Sequence, residues 1–191
     1  MLIFLLRHGE TEWNTQRRYQ GWTDILLSEH GRSLLRPSEI VPERVYVSPL
    51  RRASETASIL FPGTKQIPIP GFREMNFGDF EGRTADEMEH DSAYRTWVDG
   101  GCEGRCPGGE DWAEFSDRTC AAFDWLMRNA PDPLVIVAHG GTQMAVLERY
   151  GLPARFRWEW QCRNGGGYLL ECGDWRKKRE LLFLREVYWG E

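Results

Sequence analysis

Two short segments of this chain are apolar at every position, and both stop on a histidine followed by a glycine. Leu2 to Leu6 runs into Arg7-His8-Gly9, and Leu134 to Ala138 runs into His139-Gly140. A strand with one wet face alternates apolar and polar residues. A short run that is apolar throughout reads as a strand covered on both faces. Two such strands demand a sheet in the interior with a layer packed on either side. Sheets of that kind bind ligands outside the carboxyl ends of their strands, which is where both histidines stand.

The remaining pattern supplies the layers. Val45 to Val47 reads as a further strand, with a helix beginning at Ser48-Pro49, since proline is tolerated in a first helical turn. Arg51 to Leu60 then carries Ala53, Ala57 and Leu60 at helical spacing. Ile67 to Ile69 reads as an edge strand, because Pro68 has no N–H for a central ladder. Residues 14–28 and 71–82 are expected as loops, residues 85–97 as a weakly patterned helix, and the glycine-rich stretch 100–109 as irregular. Residues 110–129 place Trp112, Phe115, Thr119, Ala122, Phe123 and Leu126 at helical period. Met144 to Tyr150 is expected as a short helix closed by Gly151, and Gly167 to Cys172 and Leu181 to Tyr188 as two strands joined by a charged turn. Strands alternating with helices predict an α/β fold, a three-layer sandwich whose mixed, mostly parallel sheet has helices on both faces. No repeat or linker interrupts it, so one domain is expected over residues 1–191.

Composition narrows the partners. A net charge of -5 is unlike the basic footprint of a nucleic-acid binder. No apolar run approaches the length of a membrane span, and the start lacks the charged region of a signal peptide. Five cysteines without paired spacing argue against a disulfide framework. The expectation is a cytoplasmic protein with reduced thiols, bound to neither nucleic acid nor membrane. Cys102 and Cys106 lack the two further partners of a four-ligand metal site, so no structural metal is expected; nor is any cofactor.

At the strand ends the residue types suit a tetrahedral dianion. His8 and His139 bring imidazoles, and Arg7 and Arg52 bring planar forks that bind phosphate oxygens. Asn14 and the backbone N–H groups after Gly9 and Gly140 are further donors. Glu74 lies in a loop between charged and aromatic residues, where Glu10, Glu12, Asp79 and Glu81 compete with it for an acid's role. Phosphoryl transfer needs little beyond positioning, charge neutralisation and an in-line nucleophile.

The stretches LLRHGETEWN, SPLRRASETA, GFREMNFGDFEG, PGGED and VIVAHGG resemble, in order and spacing, the motifs of the histidine phosphatase superfamily, in the branch that includes cofactor-dependent phosphoglycerate mutases. The resemblance covers residues 2–147. It implies a phosphoglycerate mutase-like fold and a phosphohistidine intermediate on His8. It makes Arg7 and Arg52 the phosphate-holding arginines, His139 the second histidine and Glu74 the general acid. Arg52 is preferred to Arg51 because it directly precedes the alanine of the motif. The substrate contacts implied are Arg7, Asn14, Gln20, Gly21, Arg52, Glu74, His139 and Gly140. His30 and His90, outside every motif, are expected at the surface, while Arg17, Arg18 and Trp22 are candidates for the rim.

The partner implied is a small-molecule phosphate ester, and three functions compete. A complete catalytic set disfavours a protein that merely binds phosphate. A mutase needs a lid against water, and Pro37 and Pro42 cut short the first helix within EHGRSLLRPSEIVPE. A phosphatase remains, either of broad specificity or resembling, in REMNFGDFEGRTADEM, the alpha-ribazole-phosphate phosphatases of cobalamin nucleotide-loop assembly. Trp13, Trp22, Trp97 and Trp112 near the presumed rim would offer flat faces to a base.

Overall fold

The computed structural model describes residues 1–190. Seven strands form one sheet: β1 (Leu2–Arg7), β2 (Arg44–Val47), β3 (Lys65–Pro68), β4 (Leu134–Ala138), β5 (Gly151–Leu152), β6 (Gly166–Glu171) and β7 (Leu181–Tyr188). Their order is β3-β2-β4-β1-β6-β7-β5. The pairs β3–β2, β2–β4, β4–β1 and β5–β7 are parallel, while β1–β6 and β6–β7 are antiparallel. Six helices accompany them: α1 (Glu12–Thr15), α2 (Glu29–Leu34), α3 (Arg51–Leu60), α4 (Ser92–Asp99), α5 (Trp112–Asn129) and α6 (Gly140–Tyr150).

The continuous apolar runs are explained by two cores. Ile3 and Leu5 of β1 and Leu134, Ile136 and Ala138 of β4 share one core with Phe115 and Phe123 of α5 and with Ala145 and Val146 of α6. The alternate residues Phe4, Leu6, Val135 and Val137 share the other with Ala53, Ala57 and Leu60 of α3. Successive side chains on a strand point to opposite faces, so every position of β1 and β4 between the two layers must be apolar. Fully burying one such aliphatic side chain is worth about 1.5–3 kcal/mol. Among the described residues, no helix is long and apolar enough to cross a membrane.

Several boundaries differ from expectation. Pro49 is not in the first turn of α3, which starts at Arg51 behind the N-cap Leu50. Leu50 has no capping side chain, so Asp24 accepts the Arg51 N–H at 2.7 Å from a distant loop. The helix expected over 85–97 is two pieces, a 3-10 turn at Asp86–Met88 and then α4, because Asp91 caps a fresh helix by accepting from Ala93 and Tyr94 N–H. Within the loop 14–28, Asn14 and Thr15 belong to α1, which Thr11 and Asn14 close as a capping box. The helix expected from 110 starts at Trp112, with Asp111 capping Glu114 N–H at 2.9 Å. The largest difference is α6, which begins at Gly140 directly after His139 rather than at Met144.

Candidate active site

Strand register brings the two histidines together. Arg7 lies opposite Ala138 in the β1–β4 ladder, and the His8 N–H continues it to the Ala138 carbonyl at 3.0 Å. The next residues along each strand are therefore neighbours, with His8 and His139 ring centroids 5.2 Å apart in edge-on contact. Both rings are almost completely buried.

Their hydrogen bonds differ. His8 Nδ1 lies 2.7 Å from the Gly9 carbonyl oxygen. A carbonyl only accepts, so Nδ1 carries the proton. Burial and the charges of Arg52 and Arg7 hold the ring's pKa well below the ordinary imidazole value. The ring is thus neutral near pH 7, and Nε2 presents a bare lone pair. His139 instead places Nε2 2.6 Å from Ser48 Oγ, and its Nδ1 is buried without a partner. Burial, then Arg52, His8, Arg7 and Arg118, lowers its pKa too.

Glu74 faces the N-terminus of α6. Its carboxylate accepts from its neighbour Met75 N–H at 2.9 Å and from Gly141 N–H at 3.2 Å. Burial nevertheless wins over these bonds and the Arg52 charge, and raises its pKa. A carboxyl group so raised keeps its proton to a higher pH than a free one does, as a general acid must. A Cβ at position 141 would lie 2.2 Å from Glu74 Oε1, so any larger residue there would displace this carboxylate.

The loop carrying Glu74 is pinned from α5. Arg118 forks onto Glu110 at 2.7 and 2.8 Å and donates to the carbonyls of Gly71, Arg73 and Glu74. Glu110 in turn accepts from Asn76 N–H at 2.8 Å. Trp22 also serves this loop, its indole N–H donating to the Glu74 carbonyl at 2.8 Å.

Arg7 donates to the Cys162 carbonyl at 2.7 Å, and its Nε is buried without a partner. Arg52 is fully buried, whereas Arg51 is exposed. Its guanidinium donates to the carbonyls of Gly21 and Thr23 at 2.8 and 3.0 Å, and burial lowers its pKa to about 10. Thr11 Oγ1 directs its single hydrogen to Asn14 Oδ1. Gln20 therefore turns its NH2 to Thr11 and its carbonyl to Arg52, at 3.2–3.3 Å. Asn14 Oδ1 accepts from Thr11 and Asn164, which leaves its NH2 for the space in front.

That space is a cavity of about 330 Å³. Of the residues expected to touch substrate, Arg7, Asn14, Gln20, Glu74 and Gly140 line it together with His8. Arg52, His139 and Gly21 are not part of its lining, although the His139 ring touches that of His8. Gly21 supports Arg52 through its carbonyl, and a Cβ there would meet the Met75 carbonyl at 2.2 Å. The outer wall is aromatic, formed by Tyr19, Phe77, Trp97, Trp112 and Trp158. Trp13 and Trp22, expected at the rim, are not part of it. Trp13 packs over Gly82 and Trp22 is stacked under Arg73. Trp158 is not distinguished by its sequence context. It is held with Trp112 by the buried Arg157, whose guanidinium carbon lies 5.4 and 4.6 Å from the two ring centroids.

Arg18 reaches the wall but is forked onto Glu87 at 2.8 and 3.1 Å. Arg17, His30 and His90 are exposed away from it. Glu81, a rival for the acid's role, instead accepts from the N–H groups of Trp22, Thr23 and Phe77. A second hollow, of about 470 Å³, is lined by Leu152, Lys177 and Leu182. It also contains Glu171, which pairs with Leu2 at the start of β1. That places it at the opposite end of the sheet from His8.

Known proteins resemble this chain in sequence and in fold. The family described as histidine phosphatase superfamily (branch 1) matches residues 3–184. A curated relative, the probable phosphoglycerate mutase GpmB of Erwinia tasmaniensis, is 32% identical over 173 residues, covering 85% of this chain and 80% of that protein. A putative alpha-ribazole-5'-P phosphatase from Escherichia coli superposes with a TM-score of 0.81 at 22% identity, covering 100% of this chain and 96% of that one. The alpha-ribazole phosphatase from Shigella flexneri does so at 0.80 with 24% identity, covering 98% and 96%. At those identities the two structures establish the fold.

Proposed function

We propose that this chain, which belongs to the histidine phosphatase superfamily, is a metal-independent phosphomonoesterase for the monophosphate of an aromatic, nucleoside-type alcohol, with alpha-ribazole 5'-phosphate the leading candidate. The observation that carries this reading is the charge of the cavity wall. Among the described residues its cationic side chains are Arg7 and Arg18, and Arg18 is already paired with Glu87. One phosphate is provided for. A second anion, such as the carboxylate of phosphoglycerate, finds no comparable free cation. The aromatic wall suits a base instead, since stacking on an aromatic side chain is worth about 1–3 kcal/mol.

In this reading His8 Nε2 attacks phosphorus in line with the leaving oxygen. The P–N bond forms as the P–O bond breaks, and protonated Glu74 gives its proton to the departing alkoxide. Glu74, now a carboxylate, then takes a proton from water as that water attacks phosphorus. The P–N electron pair returns to Nε2 and inorganic phosphate leaves. Arg7, Asn14 and the Gly140 N–H hold the phosphoryl oxygens. His139, beside His8, donates to a phosphoryl oxygen, and Arg52 adds positive charge close to both rings. Donors preorganised around developing charge cost no rearrangement at the moment of reaction.

A mutase reading is favoured by one specific observation, the name borne by the curated relative. One experiment separates the two. Specificity constants are measured for alpha-ribazole phosphate, a mononucleotide and 3-phosphoglycerate, with and without EDTA, and 2- and 3-phosphoglycerate are assayed for interconversion. The expected result is fastest hydrolysis of the ribazole ester, unchanged by EDTA. Efficient interconversion would establish the mutase. Equal slow hydrolysis of all three would remove the aromatic subsite, and collapse in EDTA with recovery on adding zinc or magnesium would remove metal independence.

A further inference from the structure

We propose that Ser48 is a positioning residue: its hydroxyl donates to His139 Nε2 and so keeps that ring's proton on Nδ1, where it meets an oxygen of the phosphoryl group carried by His8. The inference rests on the phosphohistidine reading above.

The Ser48–His139 pair, 2.6 Å apart and wholly buried, has two possible arrangements. The surroundings of the Ser48 hydroxyl, which has one hydrogen to give and two lone pairs to fill, select between them through the Leu50 N–H and the need of that hydrogen for an acceptor. The Leu50 N–H donates to Ser48 Oγ at 3.3 Å and occupies one lone pair of the hydroxyl. The hydroxyl's own hydrogen then requires an acceptor, and among the described residues Nε2 is the one within reach. A neutral imidazole that accepts at Nε2 carries its hydrogen on Nδ1. Nδ1 is the buried atom left without a partner. The opposite tautomer would strand the Ser48 hydrogen and turn a lone pair toward phosphoryl oxygens.

A buried donor with no protein partner costs stability, so its retention calls for a partner that arrives with the reaction. The His8 ring, 5.2 Å away, is where the phosphoryl group would be attached. The two rings would then be complementary. His8 is fixed by the Gly9 carbonyl with Nε2 bare, and His139 is fixed by Ser48 with Nδ1 protonated. Neutrality makes the tautomer matter, because an imidazolium would donate from both nitrogens. Ser48 opens the SPLRRASETA stretch, and its place at the end of β2, next to β4, is what brings it to His139.

The test is nitrogen NMR of ligand-free protein labelled with [15N]histidine. The chain has four histidines, and His139→Gln assigns the relevant pair of signals. Wild type is expected to show His139 protonated at Nδ1 and bare at Nε2. In Ser48→Ala the signals should move toward the Nε2-protonated form. kcat should fall about tenfold or more, in the direction of a lost oxyanion donor, with KM nearly unchanged. Ser48→Thr, which keeps the hydroxyl, should restore both. An Nε2-protonated His139 in wild type overturns the proposal without any variant, so a Ser48→Ala protein that fails to fold leaves it testable. An unchanged tautomer in Ser48→Ala, or a changed tautomer with unchanged kcat, overturns it as well. The tautomer is read without substrate. Failure to find phosphate on His8 would therefore defeat the functional reading separately.

Discussion

The ends of β1 and β4 are near copies in sequence and opposites in chemistry. Each is an apolar strand closed by His-Gly, they are adjacent and parallel, and their rings touch. Yet His8 lines the cavity with Nε2 free, while His139 stands outside that lining with Nε2 engaged by Ser48. The difference comes from the path the chain takes beyond each strand. After β1 the chain turns so that the Gly9 carbonyl takes the His8 proton. After β4 it enters α6 at once, and the ring meets the Ser48 hydroxyl at the end of β2. A histidine at a strand end therefore acquires its role from the partner of one ring nitrogen, which a short motif does not encode.

The largest expected effect tests that inequality directly. His8→Ala should abolish turnover, and alkaline quenching should trap acid-labile phosphate on His8 of the wild type. His139→Ala should lose about 10²–10³-fold in kcat, the scale of one lost oxyanion donor, yet still accumulate phosphate on His8. Phosphate on His139, or equal abolition by both substitutions with none trapped, would erase the distinction between the two strand ends.

Next in size is the acid that serves His8 alone. Glu74→Gln should slow hydrolysis of an alkyl phosphate far more than that of an activated aryl phosphate, since a poor leaving group depends most on protonation. The pH profile sharpens the point. His8, with its pKa lowered by burial, must be neutral, so its limb falls on the acid side, below the ordinary imidazole value of 6.5. Glu74, raised by burial, must be protonated, so its limb falls on the alkaline side, above 4.5. The variant should lose the alkaline limb and keep the acid one. Equal losses on both esters would make Glu74 a positioning group.

Much of this arrangement was legible, for identifiable reasons. β1 and β4 announce themselves because burial on two faces forbids polar residues. Ala53, Ala57 and Leu60 are the face α3 turns to the sheet. The start of α6 was hidden because Gly140 and Gly141 are poor helix formers, and tertiary packing overrides propensity there. Partners of backbone carbonyls were hidden too. Nothing in the residue types at Arg118 or Gly21 says that one grips the Glu74 carbonyl and the other receives Arg52. The tryptophans divide the same way, since spacing cannot tell a ring that faces the cavity, as at Trp112, from one that braces a loop, as at Trp22.

The smallest effect is thermodynamic. A carboxyl group whose folded pKa is raised contributes stability that is fully present below its unfolded value of 4.5 and is lost as pH rises through the folded pKa. Gln at position 74 does not titrate, though it loses one acceptor facing Gly141 or Met75. The difference in Tm, variant minus wild type, should therefore become more positive from pH 4 to pH 8, by about 2–4 °C for each kcal/mol involved in a chain of this size. A difference that stays flat with pH would show that Glu74 is ionised as readily as a surface carboxylate, and the acid's assignment would pass to another residue.

The paired glycines at the start of α6 are unequal in what they permit over generations. At 140 a Cβ would meet Arg7 at 3.5 Å, an ordinary contact, while at 141 it would displace the Glu74 carboxylate. Every missense change of a glycine codon adds at least a Cβ, so position 141 has no neutral neighbour in mutational space, and 140 does. A lineage that keeps the acid must keep Gly141. One that has abandoned hydrolysis is released from that constraint, so among gene copies position 141 is a place to read whether the chemistry has been retained.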